Sequence, residues 1–369
     1  MGFDQFLGNQ RIVSALRGML GRERVPSALL FTGPRGVGKY TLARLFAQAA
    51  TCERLKDDFC GECAPCLRIA RLADPQPLIA AGLAERGESA DAAAVERTPL
   101  ILETHPDVWL IVPDPVRLRT PVARPMIRVG QLRAVQRAAY FKPQGRRRIF
   151  ILDGADTMRW TDADLFLKIL EEPPESATLI LLATTPGAML PTIRSRCLQF
   201  HFAPVPAQQV EAFLKSRAEG RHLKPAERKL AAQLAGGSPG AALTLDLAES
   251  ARLRKTLLEL LDRAVTGEKY GDVFAATAQL AKQENESFEN ILALFYSLLT
   301  DVLESSEGLE SSLLRNPDLR GEVKTLSGKI DWHWVVRATQ GLDTLEARLR
   351  RNISRQLGLD ALVTSLSTR

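Results

Sequence analysis

Through the first half of the chain, apolar positions alternate between two periods. Ile12, Val13, Leu16, Met19 and Leu20 recur at helical spacing, and Ala28-Leu29-Leu30-Phe31 then forms a short apolar run that stops at Thr32-Gly33. A helix is predicted from Lys39 through Leu42, Leu45 and Phe46. After a cysteine cluster, further strands are predicted at 108–112, 149–152 and 178–183, with helices starting near Gly130 and Thr161 between them. Strands linked by crossover helices imply a parallel sheet covered on both faces. Residues 74–103, rich in Ala, Glu and Asp, show neither period and read as a mobile insertion.

Beyond Phe202, Pro204 and Pro206 interrupt the chain and no strand pattern recurs. A small helical unit closes at Gly236-Gly237-Ser238-Pro239-Gly240, where glycine ends one helix and Ser-Pro starts the next. Amphipathic runs such as Ile291, Leu292, Leu294, Phe295, Leu298 and Leu299 then predict a helical bundle. The expected domains are 1–205 (α/β), 206–248 (all-α) and 249–369 (all-α).

Composition narrows the class. With 369 residues, 45% of them hydrophobic and 25% charged, the chain is too long for a single small module and too apolar for disorder. No apolar run approaches the roughly 18 residues of a membrane span, and the N-terminus lacks a signal core, so a cytoplasmic protein with no membrane partner is expected. The net charge, 49 − 43 = +6, is mild, but from Pro115 to Phe150 there are ten basic residues and no Asp or Glu. These are Arg117, Arg119, Arg124, Arg128, Arg133, Arg137, Lys142, Arg146, Arg147 and Arg148. Only Tyr140 and Phe141 interleave near the end of this run, so the pattern supports phosphate contact or a solvated basic face better than base stacking.

Gly33-Pro34-Arg35-Gly36-Val37-Gly38-Lys39 lies between a strand and a helix, where backbone N–H groups and the helix N-terminus can cradle phosphates and Lys39 can reach the terminal ones. ATP is the ligand such a loop suggests. The next position should carry a hydroxyl for magnesium but is Tyr40, and Thr41 is turned about 100° further round the helix. Arg148-Ile149-Phe150-Ile151-Leu152-Asp153 is a strand ending in a carboxylate, and Asp153 reads equally as a helix cap or a magnesium contact. Gly154 follows where a water-polarising Glu would stand, and Asp156 lies further into the loop.

Cys52, Cys60, Cys63 and Cys66 have the spacing C-x7-C-x2-C-x2-C, and four thiolates suit a closed tetrahedral zinc site of structural type. Pro191-Thr192-Ile193-Arg194-Ser195-Arg196-Cys197 follows the last predicted strand. On sequence alone its arginines read as surface charge.

In their order, Gln10, the 33–39 loop, the cysteines, His105-Pro106-Asp107, Leu152-Asp153, Leu170-Glu171-Glu172-Pro173-Pro174 and Ser195-Arg196-Cys197 resemble the AAA+ subunits of the bacterial DNA polymerase III clamp loader. The resemblance spans residues 5 to about 245. More loosely, Leu345 to Asn352 and Leu357 to Leu362 resemble the last helices of the collar through which loader subunits form a ring. It implies a RecA-like AAA+ domain with an inserted zinc module, a helical lid and a helical collar. It also implies partners: a motor ATPase and a delta-type wrench in a hetero-oligomeric ring, with the sliding clamp and primed DNA reached through the complex. Tyr40, Gly154 and the absence of arginine in Ser238-Pro239-Gly240-Ala241 fit the delta-prime branch, which resembles a motor without being one. On that analogy Arg196 is a finger given in trans to a neighbour's ATP. The motor subunit itself, and a zinc-containing DNA-binding or regulatory protein on an ATPase scaffold, are the alternatives.

Overall fold

Strand β1 (Ala28–Thr32) is apolar along its length because it is covered on both sides. Leu29 and Phe31 join one core with Ile149, Ile151, Ile180 and Leu182, and Leu30 joins another with Phe150, Leu152, Leu179 and Leu181. The computed structural model describes residues 2–86, 92–115, 125–158, 163–266, 270–282, 288–308, 314–349 and 354–367. Arg117, Arg119, Arg124, the expected helix start at Thr161 and Asn352 lie outside them.

The chain divides into two units, residues 1–213 with 237–241 and residues 214–236 with 242–369. In the first, the order is α1 (Gln10–Gly21), β1, α2 (Lys39–Thr51), α3 (Ala64–Ala70), α4 (Gln76–Arg86), α5 (Ala92–Arg97), β2 (Ile101–His105) and β3 (Val108–Ile111). Then come α6 (Val129–Ala139), β4 (Arg148–Asp153), α7 (Ala163–Glu171), β5 (Ala177–Ala183), α8 (Pro191–Arg194) and β6 (Leu198–His201). The sheet order is β2-β3-β4-β5-β1-β6. Four neighbouring pairs are parallel, with Leu30 opposite Leu181 and Ile151 opposite Ile180, while β2 pairs antiparallel with β3.

The sheet is therefore mixed rather than wholly parallel, and its two edge strands are the ones the hydrophobic pattern misses. β6 is exposed at Leu198, Gln199 and His201 and so lacks an apolar run. β2 begins within the stretch read as an insertion, and α4 and α5 stand there too. Arg86, at the end of α4, is 2% exposed and meets Asp114, 1% exposed. Its Nη1 donates to both Asp114 oxygens at 3.0 and 2.8 Å, and Nε and Nη2 donate to the Thr98 carbonyl. Leu100 and Leu102 are buried beside it. A long-range ion pair, invisible to local periodicity, thus pins this region to the sheet.

Helix α9 (Ala207–Ser216) begins in the first unit and ends in the second, and α12 (Pro239–Thr244) does likewise. The second unit is helical throughout its described residues: α10 (Ala218–Arg221), α11 (Pro225–Leu234), α13 (Leu247–Thr266), α14 (Tyr270–Ala281), α15 (Phe288–Ser306), α16 (Arg320–Ser327), α17 (Trp332–Leu349) and α18 (Arg355–Ser367). Leu257, Phe295, Leu298, Val323, Leu342 and Leu359 belong to one core. Arg254 is fully buried, with Nη1 and Nη2 on the two Asp318 oxygens at 2.7 and 2.9 Å. Among the described residues no helix is long and apolar enough to cross a membrane.

Candidate functional site

The Gly-rich loop joins β1 to α2. Gly36, at φ 74°, sits where L side chains are strained, and a Cβ there would lie 2.7 Å from the Ala241 nitrogen. The reason is a close approach: the Gly240 N–H donates to the Gly36 carbonyl at 2.9 Å. On the other side, a Cβ at Gly38 would meet the Phe6 ring at 2.9 Å. Lys39 Nζ donates to the carbonyls of Gly33 and Pro34 at 2.6 and 2.7 Å. Burial lowers its pKa, offset in part by Asp153 and Asp156. Burial raises the pKa of Asp153, with Lys39 opposing. The loop, Lys39 and Asp153 are therefore brought together as the sequence suggests.

The hydroxyl and the base are not. The Tyr40 phenol donates to the Leu72 carbonyl, and its ring packs against the core, while Thr41 is exposed. Gly154 has φ 74°, so the backbone there is one a Glu rarely adopts. Asp156 accepts the Thr184 N–H at 2.9 Å and its hydroxyl at 2.6 Å, tying the loop after β4 to the end of β5.

Cys52 follows α2, Cys63 caps the N-terminus of α3, and Cys66 lies one turn into α3. The Sγ atoms of Cys52, Cys60, Cys63 and Cys66 all lie within 4.8 Å of one another, with Cys52 and Cys63 4.0 Å apart. Four thiolates about 2.3 Å from one zinc stand about 3.8 Å apart, so the donor set fits a tetrahedral metal with no position left for substrate. Backbone N–H groups of Glu62 and Cys63 donate to the Cys60 sulfur at 3.5 and 3.3 Å and pull its thiol down to about 6. Burial pushes the Cys66 thiol up.

This module is tied to the loop helix by contacts that sequence does not signal. Gln48 Nε2 donates to the Cys66 carbonyl at 2.9 Å. Arg146 Nη2 donates to the carbonyls of Cys52 and Leu55 at 2.7 and 3.0 Å, closing the end of α2. Asp58 accepts the Phe3 N–H at 3.0 Å, which holds the N-terminal segment containing Phe6.

The basic run is mostly structural where it is described. Arg147 donates to Ala177 O and Thr178 Oγ1, both at 3.0 Å, Arg148 donates to Ala138 O at 2.8 Å, and Arg128 lies 3.9 Å from Asp114. Buried Asp107 of the His-Pro-Asp motif accepts the Gln144 and Gly145 N–H groups at 3.0 and 2.7 Å. Arg196 follows α8, half-exposed, with Nη2 on Glu171 Oε1 at 2.7 Å and Nη1 on Thr192 O at 2.9 Å. Glu171 belongs to the Leu-Glu-Glu-Pro-Pro motif, so two motifs distant in sequence meet at one ion pair. Burial pushes the neighbouring Cys197 thiol up to about 12.

A family model described as DNA polymerase III, delta subunit, matches residues 8–206. DNA polymerase III subunit delta' of Pseudomonas aeruginosa is 32% identical over 221 residues, 59% of this chain and 55% of that one. DNA polymerase III subunit tau of Escherichia coli is 27% identical over 246 residues, 66% of this chain but 32% of its own length. The chain thus spans only part of these curated relatives. A DNA polymerase III gamma subunit-related protein of Thermotoga maritima superposes with a TM-score of 0.34 and 16% identity, covering 97% of this chain and 99% of that one. With the loop, the cysteine cluster and the Ser-Arg-Cys turn in the order set out above, and a family model that covers more than half of the chain, this protein belongs to the DNA polymerase III delta-subunit family of clamp-loader proteins.

Proposed function

We propose that this chain is a delta-prime-type stator of the clamp loader, which helps assemble the ring and completes a neighbour's ATP site instead of turning over ATP itself. The observation that carries the reading is the contrast between two sites in one unit. At the chain's own loop, Tyr40 points its hydroxyl at Leu72, Gly154 occupies the base position and Asp156 is engaged by Thr184. At Arg196, a half-exposed guanidinium held by one acidic side chain is available to a triphosphate brought by another subunit.

In this reading Cys52, Cys60, Cys63 and Cys66 hold a structural zinc, and Gly33, Pro34, Arg35, Gly36, Val37, Gly38, Lys39, Tyr40, Thr41 and Asp153 are what remains of a nucleotide site. Residues 206–248 serve as lid and 249–369 as collar. Partners are the motor ATPase and the delta-type wrench, with clamp and primed DNA reached through the ring, in the cytoplasm. Purified chain with ATP and magnesium should show no turnover. The motor reading is favoured by matches to tau and gamma/tau subunits, such as 30% identity over 240 residues with the Mycobacterium tuberculosis protein. It requires turnover that Lys39→Ala abolishes, and that result would sink the stator.

A further inference from the structure

The four sulfurs of the cysteine module are not equivalent. Cys52, Cys63 and Cys66 are 2%, 5% and 0% exposed, whereas Cys60 is partly open to solvent. Cys52 and Cys66 form an inner pair against α2 and its end: the Leu55 N–H donates to Cys52 Sγ at 3.4 Å, and Cys66 Sγ lies 3.9 Å from the Gln48 carbonyl. Cys60 and Cys63 belong to the outer turn Cys60-Gly61-Glu62-Cys63. There Gly61 takes φ 75°, and the Cys63 N–H donates to Cys60 Sγ at 3.3 Å, so the chain folds Cys63 back onto the accessible sulfur.

The fold keeps Cys60 beside this partner. Phe59 before it is 4% exposed and sets its ring edge-on to Phe3 at 5.7 Å, and the Phe59 N–H donates to Asp58 Oδ1 at 2.8 Å. An accessible cysteine held next to a second sulfur is the arrangement of a redox-responsive thiol. All four Sγ atoms lie within 4.8 Å of one another, so an S–S bond of about 2 Å needs side-chain rotation and no large displacement of the chain. The partial exposure of Cys60 admits a small neutral oxidant, hydrogen peroxide, more readily than a bulky disulfide.

We propose that Cys60 and Cys63 form a peroxide-sensitive modification site, whose oxidation withdraws two donors from the four-sulfur set. The Cys60 thiolate attacks one oxygen of hydrogen peroxide: an S–O bond forms, the O–O bond breaks and hydroxide leaves. The Cys63 thiolate then attacks the sulfenic sulfur, forming the S–S bond while the S–O bond breaks and a second hydroxide leaves. Two electrons pass from the sulfurs to the peroxide, and two protons from solvent turn the hydroxides into water. Cys52 and Cys66 alone do not make the closed tetrahedral set that a structural zinc takes. The loss of zinc rests on the zinc reading given above; the thiol chemistry does not.

The test treats the full chain, purified reduced and with its zinc content measured, with hydrogen peroxide. Dimedone present during a brief exposure should label Cys60 before any other cysteine of the module. Without dimedone, peptide mapping after alkylation of the remaining thiols should find a Cys60–Cys63 disulfide, with Cys197, outside the module, still reduced as the internal control. Zinc, read with a chromogenic chelator, should leave at about one ion per disulfide formed. Dithiothreitol with added zinc should restore the starting state. Amide exchange in β4 and β5 should stay slow throughout, which separates local oxidation from unfolding. First labelling of Cys52 or Cys66, a disulfide that omits Cys60, or thiols at 60 and 63 that outlast the Cys197 thiol would each overturn the proposal, as would zinc retained beside a Cys60–Cys63 disulfide. A reduced chain that carries no zinc but still forms that disulfide would remove the zinc reading and leave the peroxide site standing.

Discussion

At the position after Lys39, a phenol reaches across to the Leu72 carbonyl in the segment that follows the cysteine module. A Ser or Thr there would be too short to make this bond, and Tyr is too long to serve a magnesium ion beside the loop. In the proposed reading one residue thus forgoes a magnesium contact and supplies a structural tie. Tyr40→Phe should lower stability in urea by about 1 kcal/mol, the net worth of one hydrogen bond. No loss would mean that the phenol is equally well solvated by water. Gly154 tells a similar story. Its φ of 74° is part of the turn after β4, so restoring Glu at that point would strain the turn that Asp156 and Thr184 hold.

The elements differ in how far they can be read from sequence. Strands β1, β4 and β5 are buried on both faces and announce themselves as apolar runs, and the cysteine spacing alone gives the four sulfurs that converge. Edge strands β2 and β6 do not, because three of the four residues of β6 are exposed and β2 buries only Leu102 and His105, so neither carries a continuous apolar run. The region 74–103 was the least legible. What holds it is a charge pair between Arg86 and Asp114, and no local pattern encodes a contact of that range. Arg86→Ala takes from buried Asp114 the guanidinium that meets both its oxygens, so a loss of about 3 kcal/mol is expected in urea unfolding, and a loss below about 1 kcal/mol would contradict it. Replacing both members by apolar residues of similar size should restore much of that loss.

The ties between the cysteine module and α2 carry a further expectation at this scale. Gln48, Arg146 and Tyr40 each bond a carbonyl within or just beyond the module, and Asp58 secures the segment that packs Phe6 against Gly38. Removing the proposed zinc with a chelator under reducing conditions should speed amide exchange in residues 33–52 while leaving β4 and β5 protected. Exchange confined to the loop between Cys52 and Cys63 would show that the module does not brace the helix.

For the whole molecule, the account rests on a division of labour within the first unit. In the proposed reading the loop end of α2, braced from several sides, is an idle nucleotide site, whereas the Ser-Arg-Cys turn offers a cation to a neighbour. Both motifs were visible in the sequence. Their pairing with Glu171 and Leu72 was not, because those partners come from other elements. The second unit contributes a helical core of its own, with buried Arg254 on Asp318, and the proposed reading gives it the part of a collar in ring assembly. The most direct measurement is ATP hydrolysis by a reconstituted loader carrying Arg196→Ala, stimulated by clamp and primed DNA. Turnover at the neighbouring site it serves should fall by about 10³-fold or more while the ring still assembles and elutes as wild type. Unchanged turnover in an intact ring would contradict the account.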